Sequence, residues 1–119
     1  MNYKYINLDY IETISEGDAE TKIQLIELFF DQVDEILQKF STALEKNDVQ
    51  QISTTAHLAK SSVKVMGINN IAEKMLELEQ SAKQNINQNS YKQIIEYFRQ
   101  NIPAALNELS QEIEQLKQK

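Results

Sequence analysis

The chain has 119 residues, enough for one hydrophobic core and short for most two-domain enzymes. It holds two Gly and one Pro where ordinary usage would give about fourteen of the two together, so its elements must be long, and sandwiches or barrels are excluded. Eighteen acidic residues against twelve basic ones leave a net charge of −6, which argues against nucleic acids and anionic membrane surfaces as partners.

From the N-terminus, Met1 to Leu8 lacks a basic stretch followed by an apolar one, so no signal peptide is expected. Leu8 to Ile14 reads as a short lead-in helix. The first long helix follows Gly17-Asp18, with Asp18 as N-cap and Glu20 favouring the positive helix start. Its apolar stripe is Ile26, Phe29, Val33, Ile36, Phe40 and Leu44, and it stops near the turn-prone pair Asn47-Asp48. The second stripe is Ile52, Ala56, Ala59, Val63 and Met66, closed by Gly67 at the left-handed position after the helix. The third is Ile68, Ile71, Met75, Leu78 and Ala82, with Asn70 and Glu73 spaced as a capping box. Asn85 to Asn89 is a polar linker. The fourth helix opens at Ser90, with Gln93 again at capping-box spacing, and carries Tyr91, Ile94, Phe98, Ile102, Ala105, Leu109, Ile113 and Leu116. Pro103 lies inside it; the stripe stays in phase on both sides, so a kinked but continuous helix is expected. Gln111 to Lys119 reads as a solvated helix end.

These patterns predict an all-α fold: an antiparallel up-down four-helix bundle with a short N-terminal lead-in helix, in a single domain spanning residues 1–119. One bundle can bury all four stripes, so a monomer is expected. The longest uncharged run, Val49 to Ala59, has 11 mostly polar residues, whereas a membrane span needs about 20 apolar ones. The lack of Cys removes disulfides, thiolate metal sites and thiol nucleophiles, and fits a reducing compartment.

Most enzyme chemistry finds no support. There is no Gly-rich loop to cradle a nucleotide, so ATP binding is not expected, and no nucleophile elbow. With one His and no Cys, no metal or other cofactor is expected. Glu77 and Glu79 read as a solvated helix face. His57 stands out by its surroundings. Between Asp48 and Glu73 there is no acidic residue, while Lys60 and Lys64 give that stretch +2 in a chain of −6. His57 lies one residue off the apolar seam, and Lys60, Ser61 and Lys64 share its face. Two readings stand at this point. A lone helical His beside chance lysines is most often an ordinary boundary residue. Alternatively, a neutral imidazole near pH 7, with lysines that repel its proton and attract an anion, is a nucleophile toward phosphorus.

The segment HLAKSSVKVMG, His57 to Gly67, resembles the helix of a histidine-containing phosphotransfer (HPt) domain: His, then Lys60 three on, the small residues Ser61 and Ser62, and Gly67 ten on. KMLELEQSAK supplies the Leu78-Glu79 pair that the next helix of the family carries, and LDYIETISEGDAE is similar to its N-terminal stretch. Two positions depart from the family pattern: Ser61 stands where Gly is usual, and Ala59 where a large aliphatic is usual, with Leu58 beside the His. The resemblance implies a carrier without kinase activity, in which His57 accepts a phosphoryl group from a receiver-domain aspartate and passes it to another receiver. It implies that Glu79 orients the ring and that Lys60 and Lys83 lie near the phosphoryl oxygens, with Ser61 on the docking surface. It also implies receiver domains of response regulators and hybrid histidine kinases as partners, Mg²⁺ on the receiver side, and a cytoplasmic location. Met1 favours a free-standing protein over a piece of a hybrid kinase. The rival expectation is a helical adaptor without phosphotransfer.

Overall fold

A computed structural model describes residues 2–118; Met1 and Lys119, the outermost residues of the expected terminal stretches, lie outside the described residues. The described chain is helical, and no helix in it is long and apolar enough to cross a membrane. A short helix α1, Asp9–Ser15, is followed by α2, Ala19–Lys46, α3, Val49–Val65, α4, Asn69–Lys83, and α5, Tyr91–Lys117, with one 3-10 turn at Gln88–Ser90. Each of the four long helices packs on two neighbours in a ring, α2 on α3, α3 on α4, α4 on α5 and α5 on α2, as an up-down bundle requires.

The apolar stripes are the buried faces. Every stripe residue read from the sequence is buried except Leu44, which is half-buried because Ala43 takes the inward position at the end of α2. Phe29, Phe40, Phe98, Met75 and Leu78 fill the centre, with Phe40 and Phe98 edge to face at 6.1 Å. Asp18 and Asp48 cap α2 and α3 by accepting from the backbone N–H groups of Thr21 (2.9 Å) and Gln51 (3.1 Å). α5 runs unbroken through Pro103, and Ile113 and Leu116 are buried in the stretch expected to be a solvated end.

Neither expected capping box forms. α4 begins at Asn69, two residues after Gly67 takes φ +68°, with buried Ile68 at the N-cap and no side-chain cap. Its start is set by the turn, in which Ile68 N–H donates to the Val63 carbonyl, so Asn70 is already inside the helix and donates to the Tyr97 hydroxyl instead. At α5 the 3-10 turn runs straight into the helix. Ser90 therefore has near-helical angles, and its hydroxyl donates back to the Asn87 carbonyl.

α2 and α5 are each over ~40 Å long, against ~25 Å for α3, so they project beyond the α3–α4 hairpin. The N-terminal segment closes that end. The Glu108 carboxylate on α5 accepts from the backbone N–H groups of Lys4, Tyr5 and Ile6, and Glu112 accepts from the Tyr3 hydroxyl. Asn7 then donates its backbone N–H to the Met66 carbonyl at the α3–α4 turn, and Glu12 on α1 pairs with Lys22 on α2.

Candidate functional site

α3 turns Ile52, Ala56, Ala59 and Val63 into the core, and a 100° rotation per residue then places residue 57 on the flank. The His57 side chain is 61 % exposed. Leu58, beside it, is half-buried against the core, and Ala59 is fully buried, so the departure at these two positions leaves the seam closed.

Across the α3–α4 contact stands Glu79. It belongs to the buried face of α4, four residues after Met75 and three before Ala82, and only 11 % of its side chain is exposed. An ionised carboxylate at that depth needs partners on both oxygens. One oxygen, Oε2, lies 2.8 Å from His57 Nδ1; the other, Oε1, accepts from Lys60 Nζ at 2.8 Å. Burial pushes the Glu79 carboxyl up. The hydrogen bonds from Lys60 and His57, together with their charges, outweigh that and hold it below the ordinary carboxylate value. A carboxylate only accepts hydrogen bonds, so the imidazole carries a proton on Nδ1, and in the neutral form of the ring the lone pair is on Nε2. Ser53 steadies the same helix pair, its hydroxyl donating to the Glu79 carbonyl at 3.4 Å.

The reading of Glu77 and Glu79 as one solvated face therefore divides. Glu77 is exposed and lies 3.8 Å from Lys74, while Glu79 is enclosed. Of the residues singled out in the sequence, His57, Lys60 and Glu79 form one hydrogen-bonded unit. Ser61 is exposed one turn along α3. Lys83 is exposed one turn beyond Glu79 on α4, with no ion-pair partner among the described residues. Lys60 is the surprise: its ammonium is turned toward Glu79 and its side chain is only 16 % exposed. The position of Glu79 within the Met75–Ala82 stripe was the available sign that a cation must reach it. Among the described residues no three His, Asp or Glu side chains stand together as a metal site would need.

Residues 24–119 match the family model of the Hpt domain, and the chain belongs to that family. Among solved structures, it is similar to the crystal structure of histidine-containing phosphotransfer protein B (HptB) from Pseudomonas aeruginosa PAO1. The TM-score is 0.86 at 22 % identity, over 96 % of this chain and 98 % of that one. At this identity the likeness bears on the fold. No curated protein matches the sequence.

Proposed function

We propose that the protein is a phosphorelay carrier in two-component signalling, working in the cytoplasm with receiver domains as its partners. The observation that carries this reading is the exposed His57 ring held through Nδ1 by Glu79, which leaves Nε2 free to attack. Membership of the Hpt family supports the same chemistry. Nε2 attacks the phosphorus of an aspartyl phosphate on one receiver, and the receiver carboxylate leaves. A carboxylate on a second receiver then takes the group from the ring. The receiver supplies Mg²⁺ and most of the charge stabilisation, and the carrier supplies a positioned nucleophile and a docking face around Ser61. It brings no nucleotide site and no kinase activity of its own.

The test is incubation with a receiver domain labelled on its aspartate. The label should appear on this chain, acid-labile and base-stable. His57→Gln, which keeps size and polarity but has no ring nitrogen, should fold and take up nothing. A fully folded wild-type chain that never labels would leave the helical adaptor as the better reading.

A further inference from the structure

We infer that the Ser61 hydroxyl donates a hydrogen bond to the phosphoryl group carried on Nε2 of His57, and so sets how far that group rests on this chain rather than on a receiver. This rests on the acceptor reading of His57 and adds to the place of Ser61 on the docking face. With Nδ1 2.8 Å from Glu79 Oε2, the α4 side of the ring is taken, and Nε2, on the far side of the ring, points outward and away from α4. Lys60, which reaches Glu79, stands about 60° around the helix from His57 toward α4, and Ser61 stands about 40° the other way, on the side to which Nε2 turns. Helical side chains lean toward the N-terminus, so Ser61 leans over the turn that carries His57, with the two Cβ atoms ~5–6 Å apart.

The other hydroxyls of this stretch are committed or enclosed. Thr54 donates to the Gln50 carbonyl at 3.0 Å and Ser53 to the Glu79 carbonyl at 3.4 Å, while Ser62 is buried. A Ser within a helix can fold its hydroxyl back on the carbonyl four residues earlier, as Thr54 does. Ser61 does not: it is exposed, and its hydroxyl bonds to no other described residue. A phosphoryl group on Nε2 brings strong acceptor oxygens and negative charge, and a hydroxyl proton rotates to meet one of them. The family pattern has Gly here, so the contact is a feature of this chain's own residue.

A docking contact and a phosphoryl contact differ in what they move. The balance between phosphorylated receiver with free carrier, and free receiver with phosphorylated carrier, depends only on those separated species. A residue that only touches the receiver changes how fast the balance is reached and leaves the balance itself alone. A hydrogen bond to the phosphoryl group persists after the receiver departs, so it stabilises the phosphorylated carrier and moves the balance toward it.

Wild type, Ser61→Ala and Ser61→Thr are checked for helical content by circular dichroism and labelled with phosphoramidate, which needs no receiver. Each is then brought to equilibrium with one receiver domain, starting from label on the carrier and, separately, from label on the receiver aspartate, and the label on both proteins is counted. The equilibrium constant for label on the carrier should be about three- to tenfold lower in Ser61→Ala than in wild type, the worth of one net hydrogen bond. Ser61→Thr, which keeps a hydroxyl, should restore it. Equal constants in wild type and Ser61→Ala overturn this inference, leaving Ser61 to the docking face alone and the acceptor reading intact. Constants equally low in Ser61→Ala and Ser61→Thr trace the effect away from the hydroxyl and overturn it as well. A wild type that takes no label on His57 from phosphoramidate would overturn the acceptor reading and this inference with it.

Discussion

Glu79 is nearly enclosed and yet ionised, and that combination has a consequence for acid stability. Its folded-state pKa lies below the ordinary 4.5 because Lys60 and His57 outweigh the burial that raises it. A depressed carboxylate pKa contributes stability above the unfolded value, lost as pH falls from about 4.5 through the folded value. Thermal melting of the wild type should therefore drop more steeply than that of Glu79→Gln in this window; parallel curves would contradict the ionised assignment. Ser61 makes a separate prediction. It is exposed one turn from His57, on the face where the proposed function docks a receiver. Ser61→Gly should cost only about 0.5 kcal/mol of stability and keep transfer, whereas Ser61→Arg should keep the fold and obstruct transfer. Melting beside transfer rate decides this, and Ser61→Arg transferring as fast as wild type would contradict the docking face. His57 and Lys60 were legible as a pair from their spacing on α3. The His57–Glu79 link came only through the family resemblance, and the turn of Lys60 toward Glu79 was not legible at all, because both depend on how α3 and α4 meet across 19 to 22 residues of sequence.

The long helices were readable because four stripes of period 3.6 each need one buried face, and few Gly or Pro interrupt them. Helix starts were less readable. Asp18 and Asp48 cap as their residue type favours, whereas at α4 and α5 the preceding turn fixed the boundary and the spaced side chains found other partners. Gly67 is the firmest element boundary: its φ is +68°, and a Cβ there would overlap the backbone of Asn7. Gly67→Ala should cost well over ~1 kcal/mol in chemical denaturation. A smaller loss would mean that the N-terminal segment does not press on this turn. Pro103 points the other way. It is exposed in mid-helix and has no N–H to donate to the Arg99 carbonyl, so Pro103→Ala should stabilise by up to ~3 kcal/mol. Unchanged or reduced melting in that variant would show that α5 needs the proline.

The described molecule is elongated, 48 × 21 × 20 Å, and its projecting end is held by a segment whose partners lie over 100 residues away. That separation is why the sequence revealed a lead-in helix but no clasp: Glu108 and Glu112 look like ordinary solvated charges until the chain returns to them. Tyr3 exposes the clasp to base. Burial, with the hydrogen bond to Glu112 and the nearby carboxylate charges, pushes its hydroxyl up to about 12 from 10.0. A raised pKa contributes stability that is present below 10 and lost as pH rises toward 12. Exchange of the Lys4 to Ile6 amides should therefore accelerate beyond its ordinary base dependence in that range, and Glu108→Ala should produce the same loosening at neutral pH. Unchanged protection in Glu108→Ala would contradict the clasp.

Carriage of a phosphoryl group between two receivers is the claim on which the rest depends. The direct measurement mixes a receiver carrying radiolabelled aspartyl phosphate, freed of its small-molecule donor, with a second unlabelled receiver, and follows label on the second over time. Label should reach the second receiver in the presence of the wild-type chain, passing through it, and should not do so with His57→Gln or without the chain. Transfer that proceeds equally with His57→Gln would contradict the account.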